Sequence, residues 1–131
     1  MKRLLTYDFG SLKLYGNYVL AEINEGATIT VKDNAILVNV AENYYEGRPF
    51  AYISYRKYSY AVDPAVYIEA SKIENLIGFA IVTNIPTAIN NTKIERLFSK
   101  KLHKTFEVIS EAKIWANFIV KKYKKAKKHA I

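Results

Sequence analysis

The sequence predicts one α/β domain built on a single mixed sheet. Three observations predict it. Short strand-like segments punctuated by glycine crowd residues 3–23. From residue 30 apolar residues recur with helical period, and from there to the end strand-like and helix-like segments alternate. At 131 residues, half of them apolar or aromatic and 24% charged, the chain has the length and composition of one soluble globular domain over 1–131.

In order, "RLLTYDF" (3–9) and "SLKLY" (11–15) read as short strands around Gly10. "YVLAEI" (18–23) follows Gly16-Asn17, a pair suited to a turn, so the start reads as an antiparallel meander. The segment 30–45 places Val31, Ala35, Val38 and Ala41 on one helical face, with Leu37, Val40 and Tyr44 beside them. Thr30 suits the N-cap, and Asp33 stands in capping-box position. Gly47 and Pro49 end that helix. "FAYIS" (50–54) reads as a strand buried on both faces. Asp63-Pro64 is a helix start: the carboxylate caps, and Pro fits the first helical position of 64–73.

"IGFAIVT" (77–83) is the most strand-like segment. Pro86 opens a helix to about Leu102, with Ile94, Leu97, Phe98 and Leu102 at helical spacing. "TFEVI" (105–109) reads as the last strand. Ser110 then caps a final helix with Trp115, Phe118, Ile119 and Tyr123 on its buried side. Right-handed crossovers make the later strands parallel.

This order resembles the STAS superfamily, which includes anti-sigma-factor antagonists, the cytoplasmic domains of sulfate transporters and stand-alone bacterial relatives, some of them grouped with the CRAL-TRIO lipid-transfer fold. The resemblance spans residues 18–120 and rests on four patterns: "ITVKDNAILV" (29–38), "YISYRKYSYAVDP" (52–64), "FAIVTNIPTAI" (79–89) and "FEVISEAKIWANFI" (106–119). It implies a regulatory or protein-interaction module. Signalling members carry an Asp-Ser-Ser-Gly-type turn whose serine is phosphorylated. Here the turn is "VDPAVY" (62–67): Asp63 matches, but Pro64 and Ala65 replace the serines, so that switch does not carry over. Ser54 and Ser59 are the nearest hydroxyls, and nothing in the motif selects either.

Composition narrows the chemistry. With no cysteine, disulfides, thiolate catalysis and cysteine-based zinc sites are excluded. The two histidines, His103 and His129, stand in basic contexts far from any nucleophile motif. Glu22 and Glu25 read as a solvated pair, and no glycine spacing makes a phosphate loop. No cofactor and no enzymatic activity are expected. No stretch approaches the ~18 apolar residues of a membrane span, and the N-terminus lacks the apolar core of a signal peptide, so the cytoplasm is the expected compartment.

Two regions remain as candidate surfaces. One is Tyr55, Arg56, Lys57, Tyr58, Ser59, Tyr60 and Asp63, an aromatic and cationic corner where open α/β sheets bind ligands or partners. Tyr52 and Tyr55 should face opposite sides of their strand. The other is the tail. Residues 1–98 carry ten Lys/Arg and ten Asp/Glu, so the net charge of +8 falls entirely on residues 99–131. Lys121, Lys122, Lys124, Lys125, Lys127 and Lys128 either solvate a helix end, hold an anionic membrane or touch nucleic-acid phosphates. The absence of arginine there disfavours nucleic acid. A dimer is compatible with this reading. The alternative to an interaction module is binding of an apolar or anionic lipid-like ligand between 86–103 and the sheet, in a closed cavity of several hundred Å³.

Overall fold

The computed structural model describes residues 3–56, 61–62, 64–83 and 101–129. Three antiparallel strands open the chain: β1 (Arg3–Tyr7), β2 (Gly10–Leu14) and β3 (Tyr18–Ile23). A two-residue β4 (Thr28–Ile29) precedes helix α1 (Val31–Asn39), which runs into a π turn over Val40–Tyr44. Then come β5 (Phe50–Tyr55), β6 (Ala61–Val62), α2 (Pro64–Ser71), β7 (Leu76–Val82), β8 (Leu102–Phe106) and α3 (Ile109–His129). The main sheet has the order β1-β2-β3-β5-β7-β8, while β4 pairs only with β6. The first two pairings are antiparallel and the last three parallel, as the alternation predicts.

The alternating side chains of the central strands build two cores. On one face Val19, Ala21, Phe50, Leu76 and Phe79 pack with Leu37, Val40 and Ala41 of the α1 region and Ala70 of α2. On the other, Leu20, Ala51, Ile53, Ala80 and Val82 pack with Ala112, Ala116, Ile119 and Val120 of α3. The sheet is thus covered on both sides, which is why β5 and β7 are almost wholly apolar. The β5–β7 ladder between the two cores carries a register shift. A bulge after Leu76 places Gly78, rather than Ile77, opposite Ala51. A Cβ at Gly78 would lie 2.6 Å from Ile119 Cδ1, so this glycine and the two buried alanines set how closely α3 approaches.

Four expectations are corrected here. The last strand is 102–106, not 105–109; it is an edge strand, and only Phe106 of it is buried, so hydropathy marks it poorly. Leu102 accordingly belongs to β8, and the rest of the expected helix up to residue 100 lies outside the described residues. The final helix buries its alanines, while Phe118 and Tyr123 stand exposed. Helix α1 faces the core with Asn34, Leu37 and, past its end, Val40 and Ala41, whereas Val31 and Ala35 are exposed. At its start the Asp33 carboxylate accepts from the Thr30 backbone N–H at 2.8 Å, the reciprocal half of the expected capping box.

The π turn was not foreseen. The Tyr45 N–H donates to Val40 O at 3.1 Å, five residues back. Glu46 and Gly47 follow with φ of 51° and 81° and end the helix. The turn points Tyr45 into the core, where it is fully buried, stacks on Phe50 at 4.4 Å and donates its hydroxyl to Tyr15 O at 2.7 Å. Burial raises its phenol well above the usual tyrosine range. The folded state therefore favours the neutral phenol, and its contribution is complete below the unfolded value of about 10 and is lost as pH rises beyond it. Tyr45→Phe is expected to remove about 1 kcal/mol at neutral pH and to flatten the fall in stability above pH ~10. Urea titrations at pH 7 and pH 10.5 check both effects.

Candidate functional site

The parallel strands β3, β5 and β7 end on the same edge of the sheet, and the first turn of α1 and the start of α2 rise from it. That edge is where an open α/β sheet presents a crevice. Here it holds a cavity of ≈ 90 Å³ between the sheet and helices α1 and α2. Its walls are mainly apolar, with Leu12, Ile36, Leu37 and Phe79 among them; Asp33, Asn34, Ser54 and Arg56 supply the polar groups.

Each polar group has a structural reason to be there. Ser54 is buried near the end of β5, on the alternate positions that Phe50 and Tyr52 occupy. Arg56 follows directly; its backbone N–H donates to Val82 O at 2.9 Å, and its Nε donates to Ser54 Oγ at 3.4 Å. The Asp33 carboxylate is held by the Thr30 backbone N–H and by the Thr30 hydroxyl at 3.2 Å. Asn34, one residue on, is only 7% exposed, and its Oδ1 has no hydrogen-bond partner among the described residues. Sequence reasoning passed over Asn34, because an asparagine early in a helix ordinarily reads as solvated; its place three residues before Leu37 on the buried stripe is the signal that marks it.

The expected corner is split by the strand. Tyr52 packs on the α1 side and lines the cavity, while Tyr55 packs on the α3 side, so the two tyrosines do face opposite ways. Arg56 goes with the cavity. Lys57, Tyr58, Ser59, Tyr60 and Asp63 lie outside the described residues. So do residues 84–100, against which the lipid-like ligand was expected; the ≈ 90 Å³ cavity on the α1 side is a different place.

The other candidates are dispersed. Glu22 lies in β3, paired with Lys13 at 3.4 Å, while Glu25 is exposed. His103 sits in β8 opposite Phe79, and His129 closes α3. Among the described residues no three His, Asp or Glu side chains are grouped to hold a metal ion, and no helix is long and apolar enough to cross a membrane.

The lysine stretch continues α3 past Val120, the last buried residue among its described side chains. Lys121, Lys122, Lys124, Lys125 and Lys127 are all exposed, and Lys128 lies on the same helix. Ile114 and Phe118 precede them, 69% and 60% exposed. At about 100° per residue, positions 114, 118, 121 and 125 fall within about 60° of one another, opposite the buried alanines. Lys122 Nζ lies 5.9 Å from the Phe118 ring centre. No family model, curated protein or solved structure matches the chain.

Proposed function

We propose that the chain is a non-catalytic, cytoplasmic regulatory module of STAS-like type that acts by contact with a protein partner at the corner between β5 and α2. The observation that supports this reading is Ile68, 44% exposed on a short helix one turn past that corner. A large apolar side chain held out on a rigid element, with an arginine directly after β5, has the make-up of an interface anchor. Affinity purification with the whole chain as bait is the test. A partner retained by the wild type should be weakened at least tenfold by Ile68→Ser and by Arg56→Ala with Tyr58→Ala, the loss of a ~2 kcal/mol anchor. An identical set of bound proteins for all three baits would overturn the reading.

A second reading is favoured by α3. Its outward stripe combines Ile114 and Phe118 with Lys121 and Lys125, the composition of a helix that lies on an anionic membrane surface. Apolar side chains would enter the headgroup boundary while the lysines meet lipid charge.

A further inference from the structure

Resting on the membrane reading above, we propose that the lipid surface meets two elements rather than one: the outward flank of α3 and the edge strand β8 form a single face that docks on an anionic bilayer. The starting point is Leu102, 54% exposed at the head of β8. It pairs with Gly78, and a Cβ built at Gly78 would lie 3.3 Å from both the Leu102 carbonyl oxygen and the Trp115 ring. Leu102 therefore stands level with Trp115 on the neighbouring helix. Side chains alternate along a strand, so Leu102 and Lys104 project to the same side of the sheet as Phe106, which belongs to the α3-side core.

The helix turns its matching side toward that edge. Trp115 lies 5.7 Å from Phe106, ring centre to ring centre, so it marks the β8 flank of α3. Going outward from Trp115, positions 122, 118, 125 and 114 follow within about 100° of it. Leu102, half-buried Trp115, Phe118 and Ile114 thus make an apolar belt from the sheet edge over the helix. Lys104, Lys122 and Lys125 flank it, all exposed. Apolar side chains among lysines match anionic headgroups above an apolar interior. A second copy of the chain does not match, because residues 99–131 carry ten lysines against two glutamates and would repel their like. Nucleic acid would meet the lysines but leave Leu102 and Ile114 without a role. The two glutamates, Glu107 and Glu111, are exposed where α3 begins, so the lysine end of the helix lies nearer the lipid. The opposite edge of the sheet supplies a matched control. Leu4 of β1 is 50% exposed and faces the same side, since its partner Lys13 pairs with Leu20 of the α3-side core.

The chain has no cysteine and one tryptophan, so single labels and intrinsic emission can be read directly. Full-length Leu102→Cys and Leu4→Cys, each carrying an environment-sensitive dye, are titrated with phosphatidylcholine vesicles that contain phosphatidylserine. The dye at 102 should shift to the blue and be quenched by brominated lipid, and the dye at 4 should do neither. Trp115 emission of the unlabelled chain should shift to the blue as well. In co-sedimentation Leu102→Ser should weaken partitioning about fivefold or more, Lys104→Gln about fivefold, and Leu4→Ser not at all. These results support the two-element face. Binding that is lost in Ile114→Ser with Phe118→Ser but unchanged in Leu102→Ser, with the dyes at 102 and 4 behaving alike, overturns it and leaves the membrane contact to α3 alone. No binding of the wild-type chain to these vesicles overturns the membrane reading itself, and this face with it. A DNA duplex bound as tightly as the vesicles, with Leu102→Ser unaffected, assigns the lysines to phosphate contacts and also overturns it.

Discussion

Removal of residues 121–131 is expected to lower partitioning onto vesicles containing phosphatidylserine by about a hundredfold. One side of α3 can bring only some of the described lysine side chains to a surface. Lys121, Lys122 and Lys125 lie on or beside the stripe of Ile114 and Phe118, whereas Lys124 and Lys127 point elsewhere around the helix. Three lysines at about 1 kcal/mol each give about 3 kcal/mol, a factor of roughly a hundred. The truncation should leave the fold intact because, among the described side chains of α3, Val120 is the last buried one and 121–127 are all exposed. Co-sedimentation should further show no binding to phosphatidylcholine alone and a steep fall between 50 and 300 mM salt, in line with screening of surface charge. Ile114→Ser with Phe118→Ser, with every lysine retained, should lose about another tenfold or more, since each apolar side chain that leaves water contributes about 1.5–3 kcal/mol when fully buried. Equal binding of the full and truncated chains would assign the lysines to solvation of the helix end.

Gly10→Ala is expected to be the most damaging single-methyl change in the sheet. Gly10 has φ of 147°, a backbone conformation that side chains disfavour, and a Cβ built there would lie 2.1 Å from the carbonyl oxygen of Glu22. That oxygen belongs to the neighbouring strand, in which Glu22 pairs with Ser11 and Ile23 with Gly10, so it cannot move without opening the β2–β3 ladder. Strain at this φ and the clash together should cost about 3–5 kcal/mol, a large share of the 5–15 kcal/mol typical of a domain. Gly16 is the internal control: it has no positive φ and nothing within 4 Å of the added atom, so Gly16→Ala should change stability by no more than about 0.5 kcal/mol. Chemical denaturation of the two variants decides the matter, and equal midpoints would refute the close approach at Gly10.

The order of elements was legible because period and punctuation carry it. Glycines mark the meander, Thr30 and Asp33 mark the start of α1, and Pro64 begins α2. What the sequence hid depends on neighbours rather than on residue type. Hydropathy assigns Phe118 to the core and treats Ala112 and Ala116 as filler, but both alanines are fully buried against the sheet, and it is the bare backbone of Gly78 that makes room for Ile119 and Trp115. β8 reads poorly because an edge strand keeps His103, Lys104 and Thr105 at the periphery. At the candidate site, Arg56 stands out by type, beside the strand end. Asn34 does not, because a polar residue on the buried side of a helix acquires meaning only once the packing around it is seen.

The π turn at 40–44 also determines how this region can change over generations. Its outward residues, Glu42 and Asn43, are exposed and are free to vary in kind. Loss of one of them would turn the bond from the Tyr45 N–H to Val40 O into an ordinary helical one, four residues back, and leave Tyr45 against Phe50 and the Tyr15 carbonyl. At this turn the chain holds one residue more than an ordinary helix needs, so a single-codon deletion here is expected to be as well tolerated as the substitutions.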